Sequence, residues 1–187
     1  MQALKETEFV PVEDYLAGEE LSEVRHEFIG GAIHAMAGAS EDHNIVAGNL
    51  FAALHSHLRG KPCRAYMADL KVRLEIARTD IFYYPDVMVA CDARDTERYF
   101  KRYPKVLIEV LSPDTERIDR REKFLSYTQI ETLEEYVLVA QDAMEMTVFR
   151  RTNNWQPEIL RLPDQPLCLA SLEFSLPLSL IYEGVKV

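Results

Sequence analysis

Two carboxylates stand where their neighbours argue against them. Glu109 lies inside Lys105–Leu111, KVLIEVL, between Ile108 and Val110. A continuous apolar run of this length, closed by Ser112-Pro113, reads as a strand buried on both faces. An ionised carboxylate left there costs several kcal/mol, so Glu109 needs a cationic partner, structural or functional. Asp86 lies in Phe82–Cys91, FYYPDVMVAC, read as a second strand. The period of two places Asp86 with Tyr84, Met88 and Ala90, and puts Val87 and Val89 on the other face. Pro85 has no N–H, so the regular ladder is expected to begin near Asp86. The 22 residues between Asp86 and Glu109 let the two strands pair as neighbours, with 92–101 as the turn.

Two carboxylates brought together in apolar surroundings form a hard-oxygen site suited to Mg²⁺ or Mn²⁺. The ion relieves their mutual repulsion and can activate water beside a scissile phosphate. The residues by themselves equally allow a structural reading, in which Asp86 pairs with an arginine and Glu109 caps a buried donor.

A longer set of blocks surrounds the pair. RHEFIGGAIHAMAGAS at 25–40, His43-Asn44, YPDVMVACD at 84–92, IEVLSPDT at 108–115 and DRREKFLSY at 119–127 follow one another in order. Together they resemble the Uma-two family of endonucleases, a branch of the restriction-endonuclease-like PD-(D/E)xK superfamily. The likeness runs over nearly the whole chain. It implies an α/β (α+β mixed) fold with a central mixed sheet flanked by helices and an N-terminal β-hairpin. It also implies hydrolysis of DNA phosphodiester bonds with Mg²⁺ or Mn²⁺, and a homodimer. Asp86 and Glu109 would be the metal ligands, with the Val110 carbonyl as a third; Glu27 would be an accessory acidic residue, or equally a solvated or salt-bridged strand residue. One position departs from the pattern: Leu111 stands where the superfamily has lysine.

Lys123 is the candidate for the displaced lysine. On a helix it shares a stripe with Tyr127 and Ile130, at i+4 and i+7, which turns it toward the sheet. There its charge could orient water and stabilise a pentavalent phosphate; its replacement by Ala is expected to abolish cleavage with the fold intact. The competing reading is an exposed i,i+4 pair with Asp119, worth about 0.3–0.5 kcal/mol. His43, at the start of a helix, could approach a phosphate or serve as a surface residue. Arg117, Arg120 and Arg121 could grip a nucleic-acid backbone, or form a solvated face offset by Glu116, Asp119 and Glu122. Tyr83 and Tyr84 are candidates for base stacking or for the core. His55 and His57, two apart on a helix, point different ways and share no site.

Composition sets limits. The 187 residues suit one domain spanning 1–187, with 48% hydrophobic and 28% charged residues, as in a soluble globular chain. No apolar run reaches membrane-spanning length and MQALKETEFV is too polar for a signal peptide, so the expected location is the cytoplasm, with no membrane partner. Cys63, Cys91 and Cys168 show no C-x-x-C spacing; neither a disulfide framework nor a zinc site is expected, and Cys91 and Cys168 read as small buried residues. The net charge of −10 opposes non-specific DNA binding. Its distribution is uneven: residues 1–29 carry eight acids against two bases, whereas Arg94–Lys105 carries five bases against two acids. The acidic segment is expected to face away from substrate. The rival function is therefore a catalytically weak or silent nucleic-acid-associated module, and a hydrolase of small nucleotides is a third.

The elements that must position these residues follow from pattern. A short helix begins after Pro11 and ends at Gly18. Strands at 24–29 and 32–37 form a hairpin across Gly30-Gly31. A long helix, capped by Ser40, closes at Gly60 and Pro62. Strands follow at 64–68 and 70–76, then the two carboxylate-bearing strands. Turn chemistry at 112–115 leads to a helix over 115–130. A buried strand at 134–140 precedes a hairpin, 144–150 with 155–161, around Asn153-Asn154. The tail from 167 to 187 has no assignment. Strands mixed with two principal helices define a layered α/β or α+β domain.

Overall fold

The computed structural model describes residues 9–113 and 116–187. The expected turn residues Asp114 and Thr115, and the N-terminal MQALKETE, lie outside the described residues.

The strand carrying Glu109, β8 (Pro104–Leu111), sits in the middle of a six-stranded sheet ordered β11-β10-β9-β8-β6-β3. It runs antiparallel to β6 (Val87–Ala90) and parallel to β9 (Glu135–Ala140), so the sheet is mixed. Val106, Ile108 and Val110 enter one core and Leu107 and Leu111 the other, as expected of a strand covered on both faces. β3 (Arg64–Met67) closes one edge; β10 (Met146–Arg150) and β11 (Pro157–Leu160) extend the other.

One face is covered by α2 (Glu41–His57). Its N-terminus is set by Ser40, whose hydroxyl accepts from the His43 N–H, a cap worth about 1 kcal/mol. Val46, Ala47, Leu50 and Leu54 turn inward and pack on the valines of β6, β8 and β9. The C-terminal tail completes this layer with β12 (Pro166–Leu169), β13 (Phe174–Pro177) and α5 (Leu178–Ile181).

The other face carries a five-stranded sheet, ordered β2-β1-β5-β4-β7, and a helical segment. In that sheet β1 (His26–Ile29) and β2 (Ala32–Ala35) form the expected hairpin, with Gly30 and Gly31 at positive φ. β4 (Lys71–Ile76) turns into β5 (Thr79–Tyr83) through Ala77 and Arg78, and β7 (Phe100–Lys101) pairs beside β4. The helical segment consists of α3 (Glu116–Ile118), a π-helical turn (Asp119–Lys123) and α4 (Phe124–Tyr127).

Several elements differ from expectation. Phe82–Cys91 is two strands in two different sheets, because the chain leaves β5 at Tyr84-Pro85 and begins β6 only at Val87. α1 (Val12–Leu21) runs through Gly18; the buried Tyr15 and Glu19 anchor it, and this tertiary hold outweighs the propensity cost of glycine. A disulfide joins Cys63 to Cys91. The antiparallel register that sets Arg64 opposite Ala90 brings these cysteines face to face, a proximity hidden by their separation of 28 residues. Cys168 is exposed rather than buried. Among the described residues, no helix is long and apolar enough to cross a membrane.

Candidate active site

β6 and β8 pair with Val87 opposite Ile108, and extending that register by one residue sets Asp86 beside Glu109. Because Pro85 interrupts the strand, Asp86 lies just outside the ladder, at the rim of the sheet. Its Oδ2 accepts from the Val110 N–H at 2.7 Å, and its Oδ1 accepts from His43 Nε2 at 2.9 Å. Asp86 is thus held by the strand that carries Glu109 and by the helix above.

Glu109 is 2% exposed. Its Oε1 accepts from the Tyr127 hydroxyl at 2.8 Å and from Lys123 Nζ at 3.3 Å. Burial pushes its carboxyl well above the usual range; the Lys123 charge opposes this, while Asp119, Asp86 and Glu27 add to it.

Lys123 is 5% exposed, and its ammonium lies 3.0 Å from Glu27 Oε1, 3.3 Å from Glu109 Oε1 and 3.2 Å from Asp119 Oδ1. Burial alone would lower the Lys123 pKa. The charges of Glu109, Glu27 and Asp119 outweigh it and raise the pKa, so the side chain stays cationic. The pair Asp119–Lys123 is therefore buried, not the exposed i,i+4 pair of the competing reading. Removing Lys123 would leave three carboxylates without their shared counter-charge, so an alanine there is expected to lower stability as well as to remove the charge.

Five carboxylates, Glu27, Asp69, Asp86, Glu109 and Asp119, line one cavity of about 600 Å³ together with Lys123, Arg25, Val110 and His43, and Asp69 is paired with Arg25. The end of β2 and the loop that follows it, residues 34–40, form part of its wall. Glu27 comes from β1, where it lies opposite His34, and its Oε1 also accepts from the Tyr84 N–H at 3.5 Å. The wide π turn lets Asp119 and Lys123 both face the sheet; such turns recur at functional sites. Asp119, 2% exposed, joins the site although its sequence position reads as a surface partner of Lys123. Its spacing from Lys123 was the available signal.

Among the described residues, no three His, Cys, Asp or Glu side chains already converge as a metal-binding group. A site built on Asp86 and Glu109 with the Val110 carbonyl would fit an ion that keeps part of its water shell and takes one or two carboxylates, as Mg²⁺ does. The charge balance fits as well: five carboxylates face Lys123 and Arg25, and a divalent cation would offset both the burial that mainly raises the Glu109 pKa and the repulsion from Asp119, Asp86 and Glu27 that adds to it.

The remaining candidates fall elsewhere. Arg117 pairs with Glu122 and Arg120 with Glu116, both at the surface, and Arg121 is exposed. None of the three lines the cavity. Tyr83 and Tyr84 are both buried, Tyr83 edge-on to Tyr127 and Tyr84 with its hydroxyl on Glu19, so neither is an open stacking platform. His55 stacks on Phe51, whereas His57 bonds the Leu172 carbonyl. In the basic segment, Lys101 is buried on the carbonyls of Asp95 and Glu97, and Arg94 pairs with Asp92 and Glu131. The acidic N-terminal segment also turns inward at Glu19 and Glu27 rather than facing away.

A mixed sheet with two acidic residues at the ends of paired central strands, and a lysine from a following helix, defines a nuclease-like α/β fold. The solved structure of "a putative nuclease belonging to DUF820 from Anabaena variabilis ATCC 29413" shares that fold, with a TM-score of 0.75, 18% identity, and coverage of 93% of this chain and 98% of that one. The family model Uma2, described as "Putative restriction endonuclease", matches residues 12–179, and the chain belongs to this family. Two proteins of Synechocystis sp. (strain ATCC 27184 / PCC 6803 / Kazusa) are similar along their lengths. "Uncharacterized protein slr1290" is 35% identical over 92% of this chain and 91% of its own. "Uncharacterized protein sll1609" is 30% identical over 94% and 98%.

Proposed function

We propose that the chain is a metal-dependent endonuclease that hydrolyses DNA phosphodiester bonds at the cavity between α2 and the π turn. The observation that supports it best is the excess of acid around a single cavity, where five carboxylates face Lys123 and Arg25, and Arg25 is taken up by Asp69. Asp86, Glu109 and the Val110 carbonyl would hold Mg²⁺ or Mn²⁺. When bound, the ion lowers the pKa of water and stabilises phosphate charge.

The chain's own residues do the rest. The Tyr127 hydroxyl, kept protonated by burial and by the charge on Glu109, fixes Oε1 of Glu109. Glu27 and Asp119 hold Lys123 in place and cationic, so that its charge is preorganised toward a phosphate entering the cavity. No basic residue is required at position 111, because Lys123 brings the charge from the helical layer to the same carboxylate. A homodimer would let two such sites address both strands.

The test uses plasmid, single-stranded DNA and RNA, incubated with wild type and Asp86→Ala in Mg²⁺, Mn²⁺ or chelator. Wild type is expected to cleave DNA only with metal, and the variant not at all. Cleavage that persists in chelator would sink the metal reading. The second reading, a silent nucleic-acid-associated module, draws on Lys123 being engaged by three carboxylates and on the net charge of −10. It prevails if no nucleic acid is cut in any metal.

A further inference from the structure

His43 reaches Asp86 from the helical layer, and its own placement is fixed from two sides. Ser40 Oγ accepts from the His43 N–H at 3.1 Å and donates to Gln141 Oε1 at 2.5 Å. The first turn of α2 is thereby tied to the residue that follows β9. From this anchored turn His43 Nε2 donates to Asp86 Oδ1 at 2.9 Å, while the Val110 N–H donates to Oδ2 at 2.7 Å. A carboxylate gripped at both oxygens, by donors from two elements, has its plane fixed. Its remaining lone pairs are then aimed before any ion arrives.

The rest of the imidazole is shielded from solvent. The side chain is 14% exposed, and Nδ1 is buried with no hydrogen-bond partner among the described residues. The hydrogen bond to Asp86 therefore uses the ring nitrogen that has a partner. A histidine meant to hold a phosphate would present a ring N–H to the cavity; here the donor points at a carboxylate.

We infer that His43 is a positioning residue that orients Asp86 for metal binding, and that it does not grip the nucleic-acid backbone. The inference rests on the proposed metal site. Partners of this kind, one bond removed from an ion, alter its affinity by about 10–100-fold when removed.

The experiment is a calorimetric titration of Mn²⁺ into nucleic-acid-free wild type, His43→Ala, His43→Gln and Ser40→Ala. Metal-free thermal melts accompany it, to establish that each variant is folded. His43→Ala is expected to weaken Mn²⁺ binding about 10–100-fold. His43→Gln, whose amide can donate from a similar reach, should recover most of that loss, and Ser40→Ala should fall between them. Folding defects alone would not be repaired by glutamine in this graded way. Unchanged Mn²⁺ affinity in a folded His43→Ala overturns the inference and leaves the metal site standing. So does a variant that keeps Mn²⁺ affinity but loses binding of a fluorescent single-stranded oligonucleotide, since His43 would then contact substrate. If wild type binds no Mn²⁺, the metal reading itself fails and this inference falls with it.

Discussion

Two buried polar clusters lie on the same side of the central sheet, and they are built on opposite principles. In the first, Glu19 receives the Tyr84 hydroxyl at 2.7 Å on Oε2, and His26 Nδ1 at 2.7 Å and the His26 N–H at 3.2 Å. Lys71 donates to the same Tyr84 hydroxyl at 3.1 Å. One acid and one lysine close on themselves through the Tyr84 hydroxyl and His26. Burial works against the ionised Glu19, but the bonds from Tyr84 and His26 hold its pKa below the usual value. In the second cluster Glu109 shares one lysine with Glu27 and Asp119, has Asp86 beside it, and is pushed the other way. The same residue type is thus stabilised as an anion at one site and penalised at the other. A balanced network needs nothing further. An acid-rich one that opens on a cavity calls for a cation.

The largest expected effect comes from removing the single positive charge of the second cluster. Lys123→Ala should cost about 3–5 kcal/mol, because it leaves buried carboxylates uncompensated. At about 2–4 °C per kcal/mol this is a fall in Tm on the order of 10 °C. A melt indistinguishable from wild type would mean that the cluster does not depend on its lysine.

Next in size is metal itself. Mn²⁺ at about a hundredfold excess over its Kd should stabilise wild type by about 2.7 kcal/mol. The gain should vanish in Asp86→Asn, and calorimetric melts with and without the ion read it directly. An equal gain in both proteins would place the ion elsewhere.

A smaller loss is expected at the balanced cluster. Glu19→Gln should destabilise by about 1.5–3 kcal/mol through weakened charged hydrogen bonds, as measured by urea unfolding. Its response to Mn²⁺ should match wild type. An altered response would mean that the two clusters are coupled.

The smallest effect is in pH. Glu109 binds its proton more tightly folded than unfolded, so unfolding releases a proton once pH exceeds 4.5, and metal-free stability should decline as pH rises from there toward the folded pKa. Glu19 acts on the other side of 4.5: its stabilisation is present above that value and is lost as pH falls through its lowered folded pKa. Lys123, raised above 10.5, contributes only to the alkaline limb, where its stabilisation is lost as pH rises through the folded pKa. Urea unfolding across pH 4–8 should show the first slope in wild type and a flatter one in Glu109→Gln. Equal slopes would remove Glu109 as its source.

Much of the site was legible in the chain because the signals were local. A charge inside KVLIEVL marks Glu109 without reference to anything distant, and Pro85 marks where Asp86 can leave a ladder. Helical spacing turned Lys123 toward the sheet, and Ser40 announced the start of α2. Other features had no local mark. Ala77 and Arg78 form the β4–β5 turn at positive φ without the glycine or asparagine that usually signals it. The tail from 167 carries short elements whose burial depends on α2 above them.

The order of residue types along the chain was enough to determine a buried acidic strand, a second acid at a proline break and a lysine on the helix that follows. Each is a matter of period and backbone chemistry within about ten residues. Only the folded structure decided that Glu27 and Asp119 join them, that His43 takes hold of Asp86, and that Cys63 meets Cys91. Those meetings depend on strand register and on a single wide turn of helix. Both are set by the packing of segments that lie far apart in the chain.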